Sequence, residues 1–201
     1  MKDKNNEVVE VGILDFSKFD YAIETYLHCL RRYQFASTFV CGGDNVLDIC
    51  CGSGYGTKVL RQKTDKVTGL DRHGEMIGFA KKKYPDCTFI LEDILTFDFN
   101  KERYDIITMF ECIDHLEKEN SQFLLGKAAS ACNHMLFLSV PCNHKIDINP
   151  YHLSTWTDKE LETEMRKYFP IVVFYGQSWV TGLIYFPYEE RRSMTVVLGI
   201  K

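Results

Sequence analysis

The chain has few of the features that would place it outside ordinary globular proteins. Five prolines and 13 glycines in 201 residues are too few for collagen or a low-complexity tract. With 45% hydrophobic and 26% charged residues, wholesale disorder and coiled-coil rods are excluded as well. No apolar run approaches the roughly 18–20 residues that span a bilayer, so no membrane partner is expected. Residues 1–10 are charged and lack the apolar segment of a secretory signal. Basic excess is missing too. Lys plus Arg total 24 against 28 Asp plus Glu, a formal charge of -4. A broad positive field for nucleic acid is therefore absent, although a local basic patch is not excluded.

Cysteine is the one residue in surplus, with eight: Cys29, Cys41, Cys50, Cys51, Cys87, Cys112, Cys132 and Cys142. Disulfide frameworks belong to small secreted chains that cannot bury a core, and this chain is long enough to bury one. No pair has C-x-x-C spacing and Cys50 and Cys51 are adjacent, so no metal is expected. Reduced cysteines, used as small hydrophobes in a cytoplasmic protein, are the expectation.

Organisation follows from periodicity. Residues 1–15 read as a loose lead-in. Phe19, Ile23, Tyr26, Leu30 and Tyr33 form one apolar helical stripe, which Cys41 to Asp44 break. Strand-like runs then recur at Val46–Cys50, Lys66–Leu70, Cys87–Leu91, Tyr104–Phe110 and Met135–Val140, with helical stretches between them. Thr157 followed by Glu160 predicts a capping box. Ile171–Gln177 and Met194–Ile200 close the chain with no helix between them, and are expected to pair antiparallel at an edge. Alternating strands and helices predict a parallel sheet with right-handed crossovers. One α/β domain over 1–201 is expected, with a helical cover at 1–43 and a core at 44–201.

The segment Asp48-Ile49-Cys50-Cys51-Gly52-Ser53-Gly54-Tyr55-Gly56 leaves a predicted strand and enters a predicted helix. Glycines there let a ligand approach the backbone closely. The spacing is G-x-G-x-G rather than G-x-G-x-x-G, and Asp48 precedes it. An acid at that place repels a pyrophosphate and suits an ammonium, which argues against a nicotinamide oxidoreductase. Asp71 ends the next strand, where a carboxylate can accept from ribose hydroxyls. Asp93 follows the third strand. Each acid alone reads equally well as a helix cap or loop acid; together with the glycine turn they mark the ligand edge of an open α/β sheet.

These segments, with Val67 to Asp71, Phe89 to Ile94 and Tyr104 to Leu116 in order, resemble the motifs of class I S-adenosylmethionine-dependent methyltransferases. The resemblance covers about residues 20–178. It is closest to small free-standing members with an Arg-Tyr helix (Arg32-Tyr33) and an Asn-Pro-aromatic-His segment (Asn149 to His152). It implies a Rossmann-like, doubly wound, three-layer α/β/α fold. Its sheet is seven-stranded and mostly parallel, with the last strand antiparallel. It also implies S-adenosylmethionine as cofactor and S-adenosylhomocysteine as its product. Asp48, Cys50, Gly52, Ser53 and Gly54 would surround the methionine part. Asp71 and Arg72 would hold the ribose side, Asp93 and Ile94 the adenine, and Phe110 and Glu111 would border the methyl. Three departures stand out: Cys50-Cys51 in the turn, Arg72 where an apolar residue often stacks on adenine, and Asp114-His115 where Glu-His is usual.

Methyl transfer needs an acceptor in near-attack range, and a hydroxyl acceptor must also lose a proton. His115 is the first candidate base, although a helix-packing role fits the same position. Tyr33, Tyr151 and His152 are candidate substrate contacts, and Trp156 a candidate pocket wall. Arg32 or Tyr33 could reach the cofactor carboxylate. The expected acceptor is a small molecule methylated at oxygen or nitrogen by a monomer or homodimer, with nucleic acid disfavoured. Two alternatives stay open: a tRNA or protein acceptor, or a non-catalytic cofactor-binding partner subunit.

Overall fold

The computed structural model describes residues 20–141, 151–178, 180–187 and 194–201, with backbone alone for 20–25. The lead-in, Asn149-Pro150 and Cys142 lie outside them. Helix α1 spans Asp20–Ser37. There follow β1 (Asn45–Ile49), α2 (Tyr55–Arg61), β2 (Lys66–Asp71), α3 (Gly74–Lys83) and β3 (Thr88–Leu91). Next come β4 (Tyr104–Phe110), a 3-10 turn (Ile113–His115), α4 (Lys118–Ala131) and β5 (Cys132–Pro141). The last elements are α5 (Asp158–Met165), β6 (Ile171–Gln177), β7 (Ile184–Tyr185) and β8 (Met194–Ile200).

The strands form one sheet in the order β3-β2-β1-β4-β5-β8-β6-β7. β1 to β5 are parallel, and β8 runs antiparallel to both β5 and β6. Two expectations are corrected here. The sheet has eight strands, because the short β7 folds back onto Gly176 and Gln177 of β6. Met194–Ile200 is an inner strand, and nothing local in its sequence encodes that position.

Period-two alternation explains the two apolar faces. Leu47, Ile49, Ile107 and Met109 point to one cluster with Leu124, Leu125, Leu161 and Phe169 from the α4–α5 side. Val46, Ile106, Phe110 and Phe137 point to the other, covered by Tyr33 and Ala36 of α1 and by Val40 just beyond it. The capping box forms as predicted: Glu160 N donates to Thr157 Oγ1, and the Glu160 carboxylate accepts from Thr157 N. Trp156 is buried in the first cluster, so it packs the core and does not wall a pocket.

Candidate active site

The carboxyl ends of β1, β2, β3 and β4 lie side by side, a consequence of their parallel register. Cys50 follows β1 with φ of 60° and Glu111 follows β4 with φ of 52°. Two non-glycine residues in the left-handed region, both at strand ends, store strain of the kind that clusters at functional turns. The two turns are also tied together, because the sulfurs of Cys50 and Cys112 are joined in a disulfide. The expectation of wholly reduced cysteines is corrected at this one pair. Cys29, Cys41, Cys51, Cys87 and Cys132 remain free, so there is no disulfide scaffold among the described residues.

The glycine turn is built for close approach at one glycine and for packing at the next. A Cβ on Gly52 would meet nothing nearer than Met76 Cε at 3.7 Å. A Cβ on Gly54 would lie 2.6 Å from the Phe89 ring and 2.8 Å from Ala80. Ser53, between them, is buried. Asp71 Oδ2 accepts from Gly52 N at 2.9 Å, and Oδ1 accepts from His73 N at 2.9 Å. The second acid thus props the turn, and each oxygen keeps a lone pair for a ligand hydroxyl. Arg72 is exposed beside it. Asp93 is half-buried and closes its own turn by accepting from Leu95 N, while Ile94 is buried.

Asp48 bonds inward. Tyr33 and Thr108 donate to Oδ1 at 3.0 and 2.8 Å, and Thr57 donates to Oδ2 at 2.7 Å. Burial pushes this carboxyl up to about 6, against the pull of the three hydroxyls. Two expectations change accordingly. Tyr33 is only 4% exposed, its hydroxyl is committed to Asp48, and its ring stands edge-on to Phe110 and Tyr55. It locks the helical cover to the turn and does not offer an acceptor contact. Phe110 is likewise a core residue, which leaves Glu111 as the residue of that pair at the open edge.

Glu111 accepts from Ser139 Oγ at 2.9 Å and lies 3.5 Å from Arg32 Nη1. Arg32 is buried and donates to Gln177 Oε1 and Cys29 Sγ, both at 2.9 Å. It clasps α1 to β6 and to Glu111, in line with the helix-cover reading of this segment. Burial opposes its charge, but Cys29 and Glu111 hold it and raise its pKa.

Beyond Glu111 the 3-10 turn presents Asp114 and His115. Leu153 N and Ser154 N donate to the Asp114 carbonyl at 2.8 and 3.2 Å. That pairing sets His152 over the Asp114 side chain, Nε2 to Oδ2 3.2 Å. His115 Nε2 is 3.8 Å from the same oxygen, and the two rings stand edge to face at 5.0 Å. Asp114 is 2% exposed, His152 10% and His115 41%. Burial and the charge of Glu111 push the Asp114 carboxyl up to about 7, and His152 pulls it down. His115 Nδ1 meets the Tyr151 carbonyl at 3.1 Å. A carbonyl only accepts, so Nδ1 carries the hydrogen. Tyr151 thus enters the site through its backbone. In the sequence Asp114 stands out only as a departure, and Thr57, Thr108, Ser139 and Gln177 do not stand out at all. The hydroxyls carry no signal outside the fold, since Thr57 acts from α2 on β1, and Thr108 and Ser139 act across neighbouring strands.

Residues 46–134 match the family model described as a methyltransferase domain. A putative methyltransferase, 235L, of Invertebrate iridescent virus 6 is 31% identical over 115 residues, covering 56% of this chain and 41% of the viral protein. The chain covers less than half the length of the curated relatives it matches. Among solved structures, magnesium protoporphyrin IX methyltransferase (ChlM) from Synechocystis PCC 6803 with bound S-adenosylmethionine superposes with a TM-score of 0.69. It is 14% identical and covers 91% of this chain and 85% of its own. The small RNA methyltransferase HEN1 also gives 0.69 at 19% identity, covering 84% of this chain and 25% of its own. Residues 46–134 are thus similar in sequence to a methyltransferase domain, and the described chain has the fold of S-adenosylmethionine-dependent methyltransferase structures.

Proposed function

We propose that this chain transfers a methyl group from S-adenosylmethionine to an oxygen or nitrogen of a small molecule. The observation that carries the reading is the row of strand ends: an open Gly52 braced by Asp71, then Glu111, then the Asp114–His115–His152 cluster. Gly52 and Gly54 would cradle the methionine part, Asp71 the ribose hydroxyls, and Asp93 and Ile94 the adenine. Asp48 would favour the ammonium through its field, without direct contact. When bound, S-adenosylmethionine would supply an electrophilic methyl on its sulfonium and leave as a neutral thioether, the C–S electron pair staying on sulfur as the acceptor lone pair forms the new bond and the acceptor proton passes to a base.

The protein's share is positioning and water exclusion. The acceptor end is assigned to the histidine cluster, with His115 activating the acceptor and Tyr151 and His152 beside it. Glu111 and Asp114 at that end disfavour a polyanion, in keeping with the formal charge of -4. Cys29, Cys41, Cys51, Cys87 and Cys132 are free thiols, and we propose a cytoplasmic protein in spite of the Cys50–Cys112 link. We propose a monomer or homodimer.

The test is transfer of labelled methyl from S-adenosylmethionine to size-separated cell extract. Label in the small-molecule fraction, lost in His115→Ala with S-adenosylhomocysteine affinity kept, supports the reading. Label confined to RNA or protein assigns the acceptor to a macromolecule. Unchanged turnover in His115→Ala removes that residue from acceptor activation.

A further inference from the structure

We propose that Asp114, His115 and His152 form a binding site for one divalent first-row metal ion at the acceptor end of the active site. This deepens the proposed function, because the ion would sit where the acceptor docks.

One ligand atom from each of the three residues lies within 4.8 Å of the others. Two donors bound at about 2.1 Å to one ion stand about 3.0 Å apart at a right angle and about 3.4 Å apart at a tetrahedral one. The Asp114 Oδ2 separations of 3.2 Å to His152 and 3.8 Å to His115 are close to that range.

Asp114 supplies the independent evidence. Its carboxylate is almost wholly buried, and neither oxygen has a hydrogen-bond partner among the described residues. Oδ2 is within reach of His152 Nε2, but the approach lacks hydrogen-bond alignment. A buried carboxylate left in that state costs several kcal/mol of desolvation. A cation at the centre of the trio removes the cost.

The second sphere is also in place. Tyr151 O accepts from His115 Nδ1, which leaves the lone pair of a neutral imidazole on Nε2, facing the carboxylate. Lone pair against carboxylate is repulsive, whereas both are ligands for a shared cation. A ring N–H donated to a backbone carbonyl is the usual support for a metal-binding histidine. Leu153 N and Ser154 N, by holding the Asp114 carbonyl, fix the loop that delivers His152.

One carboxylate and two neutral imidazoles leave a divalent ion with net positive charge and open positions. An acceptor hydroxyl at an open position would lose its proton to bulk water and present an ionised oxygen. His115 is then a ligand that activates the acceptor through the ion.

The test uses the untagged full chain, stripped with chelator, and Mn2+ alone as probe. Mn2+ suits oxygen and imidazole ligands, and the free cysteines compete poorly for it. Loss of the free-ion paramagnetic resonance signal should report one saturable site per chain. Asp114→Asn and His152→Ala should each weaken it at least about tenfold, and His134→Ala, remote from the trio, should leave it unchanged. Absence of a saturable site, or affinity unaltered in both trio variants, would overturn the proposal. Should Asp114→Asn fail to fold, His152→Ala decides. S-adenosylhomocysteine calorimetry on the same samples separates the two readings. Product binding without Mn2+ sinks the metal site alone, and Mn2+ binding without product sinks the methyltransferase reading alone.

Discussion

Asp48 is fully buried at the end of β1, and burial lifts its carboxyl from 3.8 to about 6. A raised carboxyl favours the protonated form in the folded state. Its contribution is therefore full below pH 4 and lost as pH rises through about 6. A shift of about two units corresponds to about 3 kcal/mol. The stability difference between wild type and Asp48→Asn, from denaturant melts of the ligand-free protein, should change by about that amount between pH 4 and pH 7, wild type losing ground as pH rises. A flat difference would place the Asp48 carboxyl near its ordinary value. The two turn glycines give a second contrast. Gly52 has φ of 52° and open space around its missing side chain. Gly52→Ala should cost about 1–2 kcal/mol in conformational strain yet still fold, while S-adenosylhomocysteine binding falls. Gly54→Ala adds contacts at 2.6 and 2.8 Å to strain at φ of 79° and should lower the melting temperature further. Equal melting temperatures would contradict the division of labour.

The covering helix α1 is clasped at two places, and each can be loosened separately. A Cβ on Gly56 of α2 would fall 2.1 to 2.3 Å from the Tyr33 ring, so Gly56→Ala should drive α1 outward and break the Tyr33–Asp48 bond. At the other end Gln177 of β6 accepts from Arg32 and donates to the carbonyls of His28 and Gly182. Gln177→Ala strands those groups and should cost about 2–4 kcal/mol. Amide exchange should quicken in α1 and leave β1 and β4 protected; uniform quickening would mean that the helix is not a separable cover. Local chemistry made much of this legible in sequence. The glycine turn and the Thr157 capping box lie within a few residues of what they bond, and Asp71 ends a strand whose apolar pattern is local even though its bond to Gly52 N spans 19 residues. The clasp was not legible, because Arg32 and Gln177 are 145 positions apart and only the sheet order brings them together.

At the scale of the molecule, five parallel strands set the ligand edge, and β8 with β6 extends the sheet in the antiparallel sense. The alternation of strands and helices carried the fold class. The inner position of β8 and the added β7 were invisible, since strand order depends on which edges remain open after collapse. The same holds for the site. The proposed cofactor half lies along the first three strands, whereas the proposed acceptor half joins Asp114 to residues 151–154, docked through Leu153 N. The Cys50–Cys112 link, 62 residues apart in sequence, also belongs to that non-local half. Calorimetry shows directly whether the strand-end row binds S-adenosylmethionine and its product. S-adenosylhomocysteine should bind wild type with one-to-one stoichiometry and bind Asp71→Ala at least about tenfold more weakly, as expected when hydrogen bonds to a charged group are lost. Binding of NADH with none of S-adenosylhomocysteine, or equal affinity in Asp71→Ala, would contradict binding at that row.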